Sequence, residues 1–415
     1  MAVVIGVPRS QEGEARSPIV GDVVKKLAGL GASVVIEKGA TDAAFASAES
    51  LGEVTWVDST AEVLSASDIV WTISGLAPDD EASLRPGQIL MGLLQPYSSA
   101  EHAQRLADAG VTAFAMELLP RISRAQSMDI LSSQGAAAGY QCVLIAAARA
   151  PKFFPMLTYA AGTIRPCRVL VIGAGVAGLQ AVATAKRLGA MVFGYDVRPE
   201  TREQIESLGA KFVDTGVSAA GEGGYARELT DDERARQADA LAKAVANSDV
   251  VITTAAVPGR RAPVIVTRAM LDAMRRGSVV VDMAAEGGGN VEGTVAGKDM
   301  AVGPARVVGP VNLPGRMPVH TSEMFAKNLY NFTAPMIVDG ELAIDFADEV
   351  IAGTALTHGG RVVHAGVATA LHLTDRSGAT ASDPGPEPPP GPEQEAQPEP
   401  QPAASDPTDS EGDPR

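Results

Sequence analysis

Cysteine is scarce in this chain of 415 residues: there are two, Cys142 and Cys167. Two thiols cannot build a disulfide framework or a thiolate metal centre. One sits in an apolar helical run and the other just ahead of a strand-like run, so both read as small buried residues of a reducing compartment. The five histidines, His102, His320, His358, His364 and His372, fall at no ligand spacing, and no G-x-S-x-G elbow or nucleophilic triad appears. Aromatic residues make up 4% of the chain, which suits small-residue helices stacked on parallel sheets. Bases number 34 against 50 acids, a formal charge of −16, which argues against nucleic-acid binding by phosphate neutralisation. No apolar run reads as a membrane span. The most apolar, Val169 to Ala185, is interrupted by glycines and Gln180 and reads as strand followed by helix. No basic stretch precedes the strand-like Met1–Val7, so no secretory signal is expected and the compartment expected is the cytoplasm.

Glycine, alanine and valine are abundant, and one stretch organises them. From Arg168 to Asp196 the chain reads as an apolar β-branched run, then Gly173-Ala-Gly175-Val-Ala-Gly178, an alanine-rich helical run, a second strand and a terminal acid. A lone G-x-G-x-x-G is weak among 43 glycines, but here strand, turn, helix and acid come in the order of a dinucleotide fingerprint. Gly173 would allow the tight turn, Gly175 the approach of a pyrophosphate, and Gly178 close packing of helix on strand. The diphosphate would sit on the helix N-terminus. Asp196 would accept from an adenosine ribose and repel a 2′-phosphate, favouring NAD over NADP. Arg198 beside it is a caution, since an arginine there can favour a 2′-phosphate. The alternative is a glycine-rich turn with no ligand.

Residues 1–132 alternate short strands (Val3–Val7, Ser33–Ile36, Val54–Val57, Asp68–Ile73, Ile89–Leu94, Val111–Ala115) with helices such as Val20–Leu30 and Ala100–Ala109; Gly31 and Gly110 stand where helix C-caps would fall. This predicts a parallel sheet covered on both faces. Its first turn, Pro8-Arg-Ser-Gln-Glu-Gly13, lacks the fingerprint. A long helix from Ser132 to Ala150 leads to a second sheet, with later strands at Lys211–Val213, Asp249–Thr253, Ser278–Asp282 and Arg306–Val308. A helix follows over about 321–334, capped by Thr321 or Ser322. The segment Asp214–Thr230 is too long for an ordinary connection and is either a mobile lid or a floppy insertion. From Ser377 onward, eleven of the 28 prolines and nine acids against one base give a net of −8; such a tail cannot bury a core. The expected architecture is α/β: two Rossmann-like doubly wound domains with a cleft between them. The first is 1–132 with a returning segment 318–375, the second 133–317, and 376–415 is a disordered acidic tail.

Five ordered motifs accompany the fingerprint. They are Pro120-Arg121-Ile-Ser-Arg124-Ala-Gln126-Ser-Met-Asp129-Ile-Leu-Ser132-Ser-Gln134, Gly223-Gly-Tyr-Ala226, Pro258-Gly-Arg-Arg-Ala-Pro263, Val281-Asp-Met-Ala-Ala-Glu-Gly-Gly-Gly-Asn290 and Phe325-Ala-Lys-Asn-Leu329. With Gly175–Ala190 they make most of residues 1–375 resemble the NAD(H)-binding alpha subunit of proton-translocating NAD(P) transhydrogenase, a family similar in fold to alanine dehydrogenase.

The resemblance implies that Arg121 and Gln126 contact the nicotinamide end of NAD(H), with Ser127, Met128, Asp129 and Ser132 in the same contact set. An arginine can hold a carboxamide oxygen, and glutamine offers donors and an acceptor to ribose hydroxyls. The alternative for the Arg/Asp cluster is a salt-bridge network at the domain hinge. The adenosine end maps onto Val176, Asp196, Val197 and Arg198. Gly224-Tyr225 matches a loop that closes over the nucleotide, Gln237 matches a glutamine of the site, and Ala256 stands where the family usually has a larger apolar residue. Gly287–Asn290 reads as a backbone-rich turn near the nicotinamide or as a simple β-turn cluster. Alanine dehydrogenases need a first-domain Lys and His; the matching strand ends, Val70-Trp-Thr-Ile-Ser74 and Gly92-Leu-Leu-Gln-Pro96, carry neither, which leaves an amine substrate without its proton transfer. Hydride transfer between two nicotinamides needs no such group. The resemblance therefore implies NADP(H) on a partner subunit that also spans the membrane, a homodimer, and a peripheral location on the inner membrane face. The alternatives are an alanine-dehydrogenase-like oxidoreductase and a non-catalytic NAD sensor.

Overall fold

The computed structural model describes residues 2–217, 230–255 and 261–373. Two sheets dominate. The first has eight strands in the order Arg361–Val362, Ala355–His358, Thr112–Ala115, Ile89–Gly92, Ile69–Trp71, Val4–Val7, Ser33–Glu37, Thr55–Val57. The second has seven: Lys211–Phe212, Met191–Tyr195, Arg168–Ile172, Val250–Thr253, Val279–Asp282, Ala305–Val308, Asp299–Val302. In each, six parallel strands run in the doubly wound order 3-2-1-4-5-6. An antiparallel strand follows at one edge, Ala355–His358 beside Thr112–Ala115 and Asp299–Val302 beside Ala305–Val308.

Alternation along each strand explains why both faces are covered. In Arg168–Ile172, Val169 and Val171 face one core with Ala181, Val182 and Ala185 of the helix Val176–Arg187. Leu170 and Ile172 face the other with Leu241 and Val245 of the helix Asp231–Ala246. Each side chain so buried contributes roughly 1.5–3 kcal/mol, which no exposed-face alternation could supply. The first sheet repeats the pattern: Ile69 and Trp71 face one core, Val70 and Leu90 the other. The helix Pro318–Thr333 joins the first core through Phe325, Leu329 and Phe332. It starts behind Met317 with Pro318 in its first turn, so Thr321 and Ser322 are not its caps. Thr321 is buried and donates its hydroxyl back to the Met317 carbonyl at 2.7 Å, and proline, which needs no N–H partner, opens the helix instead.

The long helix runs Ile130–Arg149 and is capped by Asp129. Among the described residues it is the one helix long and apolar enough to cross a membrane by length and composition, yet half of it is buried inside the molecule. Its Gly139 lies against the start of Val176–Arg187, where a Cβ would come 2.0 Å from the Ala177 carbonyl oxygen. Features that go beyond what the sequence predicts are the antiparallel strands Asp299–Val302, Ala355–His358 and Arg361–Val362 and two separate hairpins, Leu157–Tyr159 with Gly162–Ile164 and Ile337–Val338 with Glu341–Leu342. Cys142 and Cys167 are buried free thiols, their pKa pushed up to about 12 by burial.

Candidate functional site

The glycine turn connects Ile172 to the helix at Val176. Gly173 has φ +100°, left-handed territory that a side chain would resist, and a Cβ there would stand 2.6 Å from the Thr254 hydroxyl. Thr254, just past the strand Val250–Thr253, donates to the Gly173 carbonyl at 3.1 Å and fastens the turn. A Cβ on Gly178 would meet the Gly173 carbonyl oxygen at 1.8 Å, so the helix seats directly on the turn. Gly175 differs. Its φ of −75° suits any residue, and a Cβ there meets nothing within 4 Å. It is the N-cap of a helix with no side-chain capping bond, so the first N–H groups at the positive helix end have no side-chain partner, and the space beside Gly175 is open. This is the geometry that takes a diphosphate.

Asp196 closes the same turn from the next strand. Its Oδ2 accepts from the Ala174 amide at 2.7 Å, and its Oδ1 from the Arg198 amide at 3.0 Å. The Arg198 guanidinium donates to both oxygens, at 2.9 and 2.8 Å. Burial alone would raise the Asp196 pKa; the Arg198 guanidinium and the two amides outweigh it and hold the carboxyl below the usual range. In this structure the acceptor positions of the carboxylate are taken by Ala174 and Arg198. Val197 is half-buried, and Val176 is exposed at the mouth of the turn. Gln237 donates to the Tyr195 hydroxyl at 2.7 Å, bracing the strand that carries Asp196. Gly224, Tyr225 and Ala256, and with them most of the expected lid, lie outside the described residues.

The second constellation stands at the start of the long helix. Nine residues of helix separate Ile130 from the crossing at Gly139, roughly 14 Å at 1.5 Å per residue. Ahead of it, Ser123–Met128 forms a 3-10 stretch with Arg121, Gln126 and Ser127 exposed and Met128 half-buried against the first core. Asp129 accepts from the Ser132 amide at 2.9 Å and from its hydroxyl, so this pair caps the helix. Arg124 pairs with Asp348, the N-cap of the helix Glu349–Thr354, through both guanidinium nitrogens. The Ser127 carbonyl accepts from Asn328 at 2.8 Å and Asn331 at 2.9 Å.

The turn at Gly287–Asn290 is built from inside. Gly288 and Gly289 have φ +102° and +80°. Fully buried Asn290 donates to the Ala255 and Pro263 carbonyls at 2.7 and 2.9 Å and accepts from the Ala255 amide at 3.1 Å. Asn290 therefore ties Ala255, the residue after Thr254, to Pro263. At the first-sheet strand ends stand Thr72 and Gln95, with Gln95 at φ +49°. The structure adds an acid here that no sequence motif marks: Glu117 accepts from the Leu94 and Gln95 amides at 3.1 and 2.7 Å, and burial pushes its pKa up.

Two family descriptions match along the chain: the alanine dehydrogenase/PNT N-terminal domain over residues 6–138 and the C-terminal domain over 142–365. The chain belongs to the alanine dehydrogenase/PNT family. Within it the chain is 42% identical over 374 residues to an NAD(P) transhydrogenase alpha-subunit protein of Rhodospirillum rubrum, covering 87% of this chain and 97% of that protein. Identity to an alanine dehydrogenase of Bacillus subtilis is 28% over 301 residues, covering 70% of this chain and 72% of that protein. The crystal structure of a transhydrogenase from Sinorhizobium meliloti superposes with a TM-score of 0.77 at 41% identity, covering 88% of this chain and 99% of that one. The chain is thus a transhydrogenase-type member of the alanine dehydrogenase/PNT family. Here Thr254, Asn331 and Glu117 make their contacts without having stood out in sequence. Asn328 had a signal, its place in the Phe325–Leu329 motif, but nothing in spacing alone gave it a target.

Proposed function

We propose that the chain is the NAD(H)-binding component of a proton-translocating NAD(P) transhydrogenase, passing hydride to NADP⁺ held on a partner subunit. The observation that carries this reading is the open face at Gly175: an uncapped helix N-terminus, a turn locked by Thr254 and Asp196, and space where a side chain would otherwise stand. The residues fit NAD(H). Gly173, Gly175, Val176 and Gly178 would receive the diphosphate, and Asp196, Val197 and Arg198 the adenosine ribose. Gln126, with Arg121, Ser127, Met128 and Asp129, would meet the nicotinamide end, and Ser132 would hold Asp129. Gly224, Tyr225, Gln237 and Ala256 complete the proposed contact set. When bound, NADH supplies a hydride. What this chain contributes is placement: the turn fixes one end of the ligand, and Gln126 on its pinned loop orients the other. The strand ends at Thr72 and Gln95 carry no lysine or histidine, and Glu117 already accepts two amide bonds, so an amine substrate finds no ready proton acceptor.

The same reading supplies the assembly. NADP(H) and the membrane spans would belong to the partner subunit, placing this chain on the inner, cytoplasmic membrane face. The hairpin Leu157–Ile164 supports a homodimer. Met156, Tyr159 and Ile164 are exposed by 62%, 59% and 42%, and a two-stranded hairpin with no core of its own is marginal in water unless a second copy covers it.

The test mixes this protein with a transhydrogenase component that binds NADP(H) and follows NADP⁺ reduction by NADH. A Gln126→Leu variant should lower the transfer rate at least tenfold while the NADH Kd moves less than about threefold. Equal losses in both would remove Gln126 from the proposed role, and tight NADH binding without any transfer by the unaltered protein would point to a sensor.

A further inference from the structure

We infer that Asn328 is the positioning residue that sets the pose of the Gln126 loop. The inference rests on the NAD(H) reading of that loop. The stretch Ser123–Met128 buries one residue, Ala125, so hydrophobic packing alone does not fix it. Two polar ties do the rest. One is the exposed Arg124–Asp348 pair at the start of the stretch. The other is at its end and is half-buried: Asn328, on the inner face of the helix Pro318–Thr333, is 7% exposed and gives its amide N–H to the carbonyl of exposed Ser127 at 2.8 Å. Its own carbonyl accepts the Ser133 hydroxyl at 2.7 Å. One side chain thus joins the residue after Gln126 to the first turn of the long helix. Asn331, one turn further along, fills the second lone pair of the Ser127 carbonyl at 2.9 Å. A carbonyl with both lone pairs bonded cannot swing, and the adjoining peptide bears Gln126.

Donor and acceptor can be separated by substitution. Asn328→Ala removes both. Asn328→Asp keeps an acceptor for Ser133 but sets a carboxylate oxygen against the Ser127 carbonyl. Asn331→Ala leaves the buried donor in place. In full-length protein, amide hydrogen exchange across residues 123–129 should rise about tenfold in Asn328→Ala and Asn328→Asp, and clearly less in Asn331→Ala, as expected for loss of one half-buried hydrogen bond. With an NADP(H)-binding component, Asn328→Ala should lower hydride transfer about tenfold with an NADH Kd within threefold of the unaltered value. In the Gln126→Leu background it should lower transfer no further, because both changes disable one element. Additive losses, or a melting shift with exchange at 123–129 unchanged, would show that Asn328 only supports the helix and would overturn the inference. If the unaltered protein transfers no hydride, the functional reading fails while the exchange comparison still decides the role of Asn328.

Discussion

Gly175 and Gly178 lie three residues apart and should fail in different ways when a methyl group is added. At Gly178 the new Cβ would fall 1.8 Å from the Gly173 carbonyl oxygen and 3.0 Å from the Thr254 hydroxyl. Carbon and oxygen at ordinary contact stand well beyond 3 Å apart, so the turn must open by more than an ångström. Overpacking of this kind costs about 1–3 kcal/mol. Gly178→Ala should therefore melt several degrees lower, at roughly 2–4 °C per kcal/mol, and lose NADH affinity with the turn. At Gly175 the backbone is extended at φ −75°, and a Cβ meets nothing within 4 Å. Replacing glycine by alanine where the conformation is permitted stabilises by about 0.4–1 kcal/mol through the unfolded chain. Gly175→Ala should melt at or slightly above the unaltered temperature and yet bind NADH at least tenfold more weakly, a loss of about 1.4 kcal/mol. Calorimetry and NADH fluorescence titration on the same samples check both. A Gly175→Ala protein that binds NADH normally would refute the placement, because its folded state leaves no other route to a loss. The diphosphate would then lie elsewhere.

Two further outcomes follow from the ion pairs. Arg198 occupies Asp196 from both sides, so Arg198→Ala should free the Asp196 carboxylate for the ribose as it removes the arginine's own contact, leaving NADH affinity within about threefold while any NADPH affinity falls about tenfold; fluorescence titration with both nucleotides measures it, and a tenfold loss for NADH would mean that the freed Asp196 does not take the ribose. The Arg124 guanidinium holds the Asp348 carboxyl down at about 2. A depressed carboxylate stabilises above its unfolded value near 3.9 and loses that contribution as the pH falls through about 2. The pair is 49% and 27% exposed, so it is worth no more than about 1 kcal/mol. The melting difference between the unaltered protein and Asp348→Asn should be small and flat from pH 5 to 8 and should narrow below pH 4; a difference that grows on acidification would contradict the pairing.

The parallel strands were legible because most are short apolar runs between turn residues, and the order of glycines, helix and acid marked the turn at Gly173–Gly178. What sequence could not give was what occupies Asp196. Arg198 is two residues away, and only the bend after Tyr195 folds it back onto both carboxylate oxygens. Asp129 reads in sequence as a ligand contact, and its capping of the long helix appears only once that helix is seen to begin at Ile130. The Asn328 contact spans 201 residues, beyond any periodicity. The edge strand Asp299–Val302 and the hairpin at Leu157–Ile164 escape sequence patterning because antiparallel edges need neither a crossover helix nor a long apolar run.

The two sheets share an order and a device, and the difference between them explains why only one has an open helix N-terminus at its first turn. In both, the acid ending the second strand accepts from an amide in the first turn: Asp196 from Ala174, and Glu37 from Arg9 at 2.9 Å. In the second sheet three residues separate strand from helix, and the helix N-terminus stands open beside Gly175. In the first, thirteen residues intervene between Val7 and Gly21, and Arg9 folds its guanidinium over Gly39 onto the Lys38 carbonyl, filling the corresponding corner. An anion site needs a short turn that delivers free N–H groups at the strand end, and a thirteen-residue loop cannot supply it. That loop instead carries Glu14 and Arg16 inward. Arg16, 7% exposed, bonds both Glu14 oxygens and the Gln134 side chain at 2.9 Å, while Asn312, beyond the strand Ala305–Val308, donates to Glu14 at 3.2 Å. Burial would raise the Glu14 pKa, but Arg16 holds it down, so the pair stays charged. One turn is short and open; its counterpart is lengthened to tie the first sheet to the loop of the second.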